Sequence, residues 1–280
     1  MAHALERAGG LGGTISVATR LEADVDVYVI AEVVKPEDRS GVSATSRPVL
    51  AVLNKADLIA TTEPGRHPDG PTAAARTRCE TLSAHVGAPI EPLSAMLAVA
   101  SLDDLVDDAL WTALQMLAAQ QPVTGQLRRR LLDTLDMFGV ARAVAAIRRG
   151  ATRAETDALL RRLSGIDEVV DKIESLGTQV HYQRMLDAVA ELETLAVTDR
   201  RVGDFLSRDD TVVARMAAAV NVVEADGMTV DRCDSAAAHL RRAVDWQRYR
   251  RGPVGGVHRA CGADIVRGSL RLWSQAGGSA

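Results

Sequence analysis

Three short apolar runs, each bounded by polar residues, stand out in the first third of the chain. Apolar runs of this length predict buried strands, whereas the longer segments between them predict helices. The predicted order is strand 25–31, helix or loop 36–46, strand 48–53, loop, helix 72–86, strand 89–93 and helix 101–119. Strands that alternate with helices predict a parallel α/β layer in residues 1–120.

From about residue 123 the apolar positions recur every three or four residues, which predicts helices. These positions are Leu127, Leu131, Leu135 and Phe138; Leu159, Leu163, Ile166, Val170 and Ile173; Met185, Val189, Leu192 and Leu195; and Val212, Met216, Val220 and Val223. Thr152 and Glu155 have the spacing of a capping box that opens a helix. We therefore predict an antiparallel helical bundle over about 124–250, within a second domain at 121–280.

Five glycine positions fall between or inside these helical runs and are candidate turns. They are Gly139, Gly150, Ser164-Gly165, Gly177 and Gly203.

Composition narrows the class of protein. Hydrophobic residues make up 47% of the chain but aromatic residues only 3%, so the cores must be built from Ala, Val and Leu. A net charge of −4 implies no whole-chain attraction to nucleic acid, which we do not expect as a partner. The three cysteines, Cys79, Cys233 and Cys261, are far apart and suit a reducing cytoplasm. No apolar run approaches the ~18 residues of a membrane span, and no signal-peptide pattern is present, so a cytoplasmic location is expected.

The most specific motif is Asn54-Lys55-Ala56-Asp57, which directly follows the apolar run Pro48–Leu53. The chain holds only two asparagines and three lysines, so about 0.002 chance matches to Asn-Lys-x-Asp are expected. An Asp57 carboxylate can accept from both the ring N–H and the exocyclic amine of guanine, a donor pair that adenine lacks. The stem of Lys55 can lie along the base, and the Asn54 amide can tie this turn to another loop. The alternative is a polar loop that closes a strand.

A strand that ends in Asn-Lys-x-Asp resembles the guanine-binding strand of translation-factor and dynamin-like P-loop GTPases. Residues 88–96 resemble the last strand of that domain with its Ser94-Ala95 loop, and residues 24–31 resemble its preceding strand. The resemblance implies that GTP or GDP binds at Asn54, Lys55, Asp57, Ser94 and Ala95, with the Ala95 N–H meeting the guanine carbonyl. A helical bundle after such a domain is the dynamin-like layout, which implies self-association or a paralogous GTPase as partner, and peripheral membrane contact.

The phosphate-binding loop of these GTPases, Gly-x-x-x-x-Gly-Lys-Ser/Thr, occurs nowhere in the 280 residues. Gly9–Thr14 is glycine-rich but follows no apolar strand, so we interpret it as a flexible linker. The expected fold is therefore α/β plus all-α: a partial doubly wound GTPase-type sheet, its carboxy-terminal half, followed by the bundle. Magnesium is expected only if the missing half is supplied. Two hypotheses follow: an amino-terminally truncated GTPase with little activity alone, or a non-catalytic helical interaction or scaffold protein derived from a GTPase.

Two charged stretches also admit a functional and a structural interpretation. The basic, aromatic segment His239–Arg251 could contact an anionic surface, but a helix end before Gly252-Pro253 explains it more simply. The acidic group Asp103, Asp104, Asp107 and Asp108 could hold a metal, but compensation of a helix dipole near its N-terminus is the simpler interpretation. No histidine, His67 in its Pro/Gly loop included, lies at ligand spacing from a cysteine or an acid.

Overall fold

The computed structural model describes residues 2–12, 15–17, 23–31, 33–59 and 71–277. Its strands are β1 (Asp26–Ala31), β2 (Val49–Asn54) and β3 (Ile90–Leu93). The helices before residue 165 are α1 (Ala2–Gly12), α2 (Pro36–Ser43), α3 (Ala56–Ile59), α4 (Pro71–Val86), α5 (Ala95–Leu102), α6 (Asp108–Ala118), α7 (Gly125–Arg148) and α8 (Arg153–Ser164). The later helices are α9 (Ile166–Ala196), α10 (Arg200–Leu206), α11 (Asp209–Ala225), α12 (Ala236–Arg250) and α13 (Gly256–Gln275). The described chain is thus mostly helical with a small α/β part.

The chain divides into two compact units, one ending at Ile173 and one beginning at Glu174. The predicted division at residue 120 does not coincide with this boundary. One hydrophobic core cluster contains residues from both sides of position 120, because leucines of α5 and α6 pack with leucines of α7 and α8. These leucines are Leu97, Leu110, Leu114, Leu131, Leu135 and Leu160. The long helices after 120 therefore do not form a single bundle, although their helical character is confirmed.

The first unit contains a parallel sheet in the order β1-β2-β3. β2 is central and its Leu50, Ala51, Val52 and Leu53 are fully buried, as expected for a strand covered on both faces. The three strands agree with the predicted runs to within one residue at each end.

The outer edge of β3 can be identified from one ladder bond. The Ala51 N–H donates to the Pro89 carbonyl at 3.0 Å, so Pro89 faces β2. Since backbone groups of successive residues in a strand point to opposite sides, the residues that face outward are Ile90, Pro92 and Ser94.

The outward N–H groups of β3 are all accounted for. Ile90 donates to the Ser83 hydroxyl at 3.1 Å. Pro92 has no N–H, and proline in a sheet belongs where that donor would face away from the ladder. Ser94 donates to the carbonyl oxygen of Ser164 at 2.8 Å. The β3 edge is therefore closed to further strand pairing.

The outer edge of β1 differs. The Asp26 N–H donates to Pro48 at 2.9 Å, so Asp26 faces β2 and the backbone groups of Val27 and Val29 face outward. Within the described ranges these outward groups have no hydrogen-bond partner, and the Val29 side chain is 47% exposed. Among the described residues, β1 is thus the open edge of the sheet.

The amino-terminal segment corrects the linker prediction. Residues 2–12, including Gly9, Gly10 and Gly12, form α1. Its apolar face is buried, and its Arg7 and His3 side chains contact Asp103 at 2.5 and 2.6 Å. The buried residues are Ala4, Leu5 and Ala8. A docked apolar face overrides the low helix propensity of glycine. Gly13 and Thr14 lie outside the described residues.

The helix predicted at 101–119 is two helices. α5 ends at Leu102 and α6 begins at Asp108, with Asp104 in the left-handed region at φ 49°. Asp107 caps α6 by accepting from the Leu110 N–H at 2.9 Å, and Asp108 follows it. Dipole compensation therefore holds for Asp107 and Asp108 but not for Asp103, which lies at the C-terminus of α5.

A kink at Asp136 divides α7. Asp136 has φ 53° and its Oδ1 accepts from the Phe138 and Gly139 N–H groups at 2.6 and 3.0 Å, so it caps the second half of the helix. A Cβ on Gly139 would lie 2.5 Å from Leu97 Cδ2. Gly139 thus lies inside a helix against Leu97 of α5 and does not mark a turn. Gly150 and Gly165 do mark turns, and Gly177 and Gly203 lie inside helices.

The second unit consists of the later part of α9 with α10 to α13. Its core is formed by Tyr182, Ala219, Val220, Val222, Val223, Val230, Trp246, Cys261 and Ile265. The core also contains a charged pair: Arg215 donates to Asp264 at 2.8 Å, and Tyr182 donates to the other carboxylate oxygen at 2.9 Å. Burial, together with the Asp264 carboxylate, raises the pKa of Tyr182. Among the described residues, no helix combines the length and apolar character needed to cross a membrane.

Candidate functional site

The two sequence motifs meet at one edge of the sheet. Asn54 ends β2, and its register partner across the parallel ladder is Leu93, which ends β3. Parallel strands place their carboxyl ends side by side, and such ends are where α/β sheets bind ligands. The turn that begins at Lys55 and the Ser94-Ala95 loop are therefore neighbours.

The turn after β2 has an unusual backbone. Lys55 has φ 61°, a left-handed conformation that is uncommon for a residue with a Cβ. Its carbonyl accepts from the Leu58 N–H at 3.0 Å, which starts the short helix α3. The Lys55 side chain is exposed, and Asp57 lies on α3 with its side chain outside the described part of the structure. A strained residue held in place at a strand end is a feature that clusters at functional sites.

Asn54 joins the two loops. Its Oδ1 accepts from the Ala95 backbone N–H at 3.2 Å. Ala95 is the first residue of α5, so this bond satisfies one of the free N–H groups at the helix N-terminus. The prediction that the Asn54 amide ties its turn to another loop is confirmed. The Ala95 N–H expected to meet a guanine carbonyl is engaged by Asn54 in this structure.

Ser94 is fixed from the other side. It is 3% exposed and precedes α5 as its N-cap, but its side chain makes no capping bond. Its N–H donates to the Ser164 carbonyl at the corner between α8 and α9. The next residue, Gly165, has φ 77°, and a Cβ there would lie 2.5 Å from the Pro92 carbonyl oxygen. The sequence indicates a turn at Gly165, but no sequence pattern indicates that this corner lies beside Ser94.

A charged group lies along β3. Glu91 lies close enough to Arg76 of α4 and Lys172 of α9 for both charges to act on its carboxyl, and Arg76 pairs with Glu168 of α9. Burial raises the pKa of Glu91, although both cations oppose the shift. Burial, helped by the Glu91 charge, also raises the pKa of Cys79 to about 12. Cys79 is therefore a packing residue rather than a reactive thiol.

The other charged stretches have structural partners. Asp107 pairs with Arg130 at 2.8 Å, and Asp108 pairs with Arg153 at 2.6 Å. The hydrogen bond from Arg130 and the Leu110 N–H hold the pKa of Asp107 below its usual range. Within the described residues no cluster of three or more His, Cys, Asp or Glu is arranged to hold a metal ion.

The basic stretch is a helix end, as the simpler interpretation expected. α12 ends at Arg250 with Arg248 and Arg250 in its last turn, and Gly252-Pro253 follow. His67 lies outside the described residues.

Comparisons with known proteins give no match. No protein family, no curated protein and no solved structure shows significant similarity to this chain.

Proposed function

We propose that the chain is a guanine-nucleotide-binding protein of the dynamin-like GTPase class, with little hydrolytic activity alone. The single observation that carries the proposal is that the Asn-Lys-x-Asp turn and the Ser-Ala loop lie side by side at the carboxyl ends of adjacent parallel strands. The Asn54–Ala95 hydrogen bond joins the two loops there. A base held between these loops would meet Asp57 on one side and the Ala95 N–H on the other.

The strand order supports the same proposal. In a doubly wound nucleotide-binding sheet the second-half strands follow one another in sequence order, 4-5-6. The observed order β1-β2-β3 has this form, and the motif strands are its second and third members. We propose on this basis that the sheet is the second half of a GTPase-type fold.

Binding should be weak. Phosphate groups supply the charge-assisted bonds that dominate nucleotide affinity, and the phosphate-binding loop is missing from the sequence. In addition, a guanine carbonyl must either displace the Asn54 oxygen from the Ala95 N–H or share that N–H donor with it. We expect a dissociation constant weaker than about 1 µM, with magnesium adding nothing.

The test is a titration of the isotope-labelled chain with GDP, ADP and xanthosine diphosphate, followed by amide NMR. GDP should shift the Lys55, Asp57 and Ala95 amides, whereas ADP should not. Asp57→Asn should weaken GDP binding and make the chain prefer xanthosine diphosphate, because the xanthine carbonyl can accept from the new amide. Asp108→Asn, an exposed aspartate at the start of α6, is the matched control and should leave the preference unchanged.

Equal shifts with GDP and ADP would contradict base recognition. Calorimetry with GTP and magnesium tests the expected weakness, and sub-micromolar binding would show that phosphate anchors exist elsewhere in the chain.

A second candidate is a non-catalytic helical interaction or scaffold protein. The observation that favours it is that Asn54 already satisfies the Ala95 N–H, so the motif works structurally without a base. No amide shift with any nucleotide at millimolar concentration would favour this candidate over the first.

A further inference from the structure

We propose that the corner between α8 and α9, Ser164-Gly165, is the positioning element of the Ser94-Ala95 loop, and so controls how well the site binds the guanine carbonyl. This inference rests on the proposed function for its nucleotide part. Its structural part, that the corner sets the loop, stands on contacts within the first unit alone.

The corner has its own internal bonds. The Ser164 hydroxyl donates to the Arg161 carbonyl at 2.5 Å and accepts from the Ile166 N–H at 3.2 Å. Ser164 is 1% exposed and Ile166 is fully buried. Because both ends of the corner are tied to one buried hydroxyl, the direction of the Ser164 carbonyl is fixed.

That carbonyl reaches the loop directly. It accepts from the Ser94 N–H at 2.8 Å, on the side of the chain away from β2. The adjacent Ala95 N–H points to Asn54 on β2. Two successive N–H groups are thus held from opposite sides, one by the corner and one by the Asn-Lys-x-Asp turn. A shift of the corner must therefore change the direction of the Ala95 N–H, the group that would meet the base.

The corner approaches β3 too closely for a side chain. Gly165 adopts φ 77°, and an added Cβ would lie 2.5 Å from the Pro92 oxygen and 3.9 Å from Leu93 Cα. Both atoms belong to backbone directly before Ser94, so the clash cannot be relieved by a flexible side chain. Gly165→Ala should push the corner away and lengthen the Ser94–Ser164 bond.

The chain offers a matched control for this variant. Gly150 has φ 89°, and an added Cβ there would meet nothing within 4 Å. Gly150→Ala carries the same backbone strain without the contact. Gly165→Asn tolerates the left-handed backbone but keeps the clash, so it should behave like Gly165→Ala.

The experiment measures amide exchange and chemical shifts of Ser94 and Ala95 in the full chain. It also measures the affinities for GDP and for 2-aminopurine riboside diphosphate, which lacks the carbonyl and the ring N–H but keeps the exocyclic amine. For each nucleotide, the variant is compared with the unmodified chain. In Gly165→Ala both amides should shift, the Ser94 amide should exchange at least about tenfold faster, and GDP affinity should fall about tenfold, the value of one net hydrogen bond. The 2-aminopurine analogue should bind as before. Gly150→Ala should change none of these quantities.

Should Gly165→Ala not fold, Ser164→Ala replaces it, since it loosens the corner without a clash. Amides that respond alike in Gly165→Ala and Gly150→Ala would overturn the proposal, and so would amide changes with an unaltered ratio of the two affinities. If the unmodified chain binds no guanine nucleotide, the proposed function fails, and the amide comparison alone then decides whether the corner positions the loop.

Discussion

The Asn54 side-chain oxygen accepts from the Ala95 backbone N–H at 3.2 Å, across 41 positions of sequence. The bond joins the end of β2 to the start of α5, and it gives the asparagine of the motif a role that does not depend on a ligand. The same contact both preorganises the loops and occupies the group expected to meet the base.

Replacement of Asn54 separates these effects. Asn54→Ala removes the acceptor, so the Ala95 amide should lose its protection and exchange about tenfold faster, as expected for one lost hydrogen bond. Asn54→Asp keeps an acceptor oxygen and should retain most of the protection. Amide-resolved hydrogen exchange by NMR measures both. Equal exchange in the two variants would mean that the side-chain oxygen does not hold the Ala95 N–H.

The open edge of β1 predicts self-association. Val27 and Val29 present unpaired backbone groups within the described residues, and an apolar edge of this kind is a template for a second strand. Val29→Lys should shift the chain toward monomer in sedimentation velocity, because edge lysines oppose strand pairing.

The control for the edge is Leu132→Lys on α7, which removes a similarly exposed apolar side chain, 40% against 47% for Val29, away from the sheet. Sedimentation that responds equally to both variants would point to general hydrophobic association instead of strand pairing.

The sequence predicts elements better than it predicts their partners. The strands at β2 and β3 and the Thr152–Glu155 capping box follow from local patterns, and the structure has them. The Asn54 tie could be predicted because the asparagine side chain carries both an acceptor and a donor that can reach a neighbouring loop. These features depend on neighbouring residues or on a motif.

The features that the sequence did not predict depend on residues far away along the chain. The helical state of α1 follows from burial of its Leu5 face and from Asp103, about a hundred positions away. The hydrogen bond between Ser94 and Ser164 joins two backbone groups. Because every residue has a backbone carbonyl, the identity of residue 164 gives no indication of this bond. The sequence indicates a turn at Gly165. Only the structure shows that this turn packs against the Pro92 backbone.

Glu91 predicts a specific pH dependence. Burial raises its pKa above the ordinary value of 4.5, so folding favours the protonated carboxyl. The stability it contributes is complete below pH 4.5 and is lost as the pH rises through the folded-state pKa. Glu91→Gln should therefore be more stable than the unmodified chain at pH 7, with the difference vanishing toward pH 4.5. Urea unfolding between pH 4.5 and 8 measures this.

Glu155 should show the opposite dependence of stability on pH, because its pKa is lowered where that of Glu91 is raised. The Thr152 backbone N–H lowers its pKa, so its contribution is present above the ordinary pKa and lost on acidification. Glu155→Gln should be less stable than the unmodified chain at pH 7, and the difference should shrink on acidification. A Glu91→Gln variant that is also less stable at pH 7 would show that electrostatic attraction to Lys172 and Arg76 outweighs burial.

The buried pair Arg215–Asp264 predicts the largest stability effect. Asp264 is 3% exposed and Arg215 13%, so Asp264→Asn leaves a desolvated guanidinium without its counter-charge, at a cost of about 3–5 kcal/mol. Asp209→Asn breaks the half-exposed pair with Arg271 and should cost at most about 1 kcal/mol. Both free energies of unfolding are measured by tryptophan fluorescence during urea unfolding in a Trp111→Phe background. The remaining tryptophans then lie in the second unit, so the signal reports on that unit. Replacement of the whole buried group by Arg215→Met, Asp264→Leu and Tyr182→Phe should recover most of the loss, because apolar packing substitutes for a buried ion pair. Tyr182 is included because its hydroxyl would otherwise lose its acceptor. Equal costs for the two single variants would mean that the second unit admits water to Asp264.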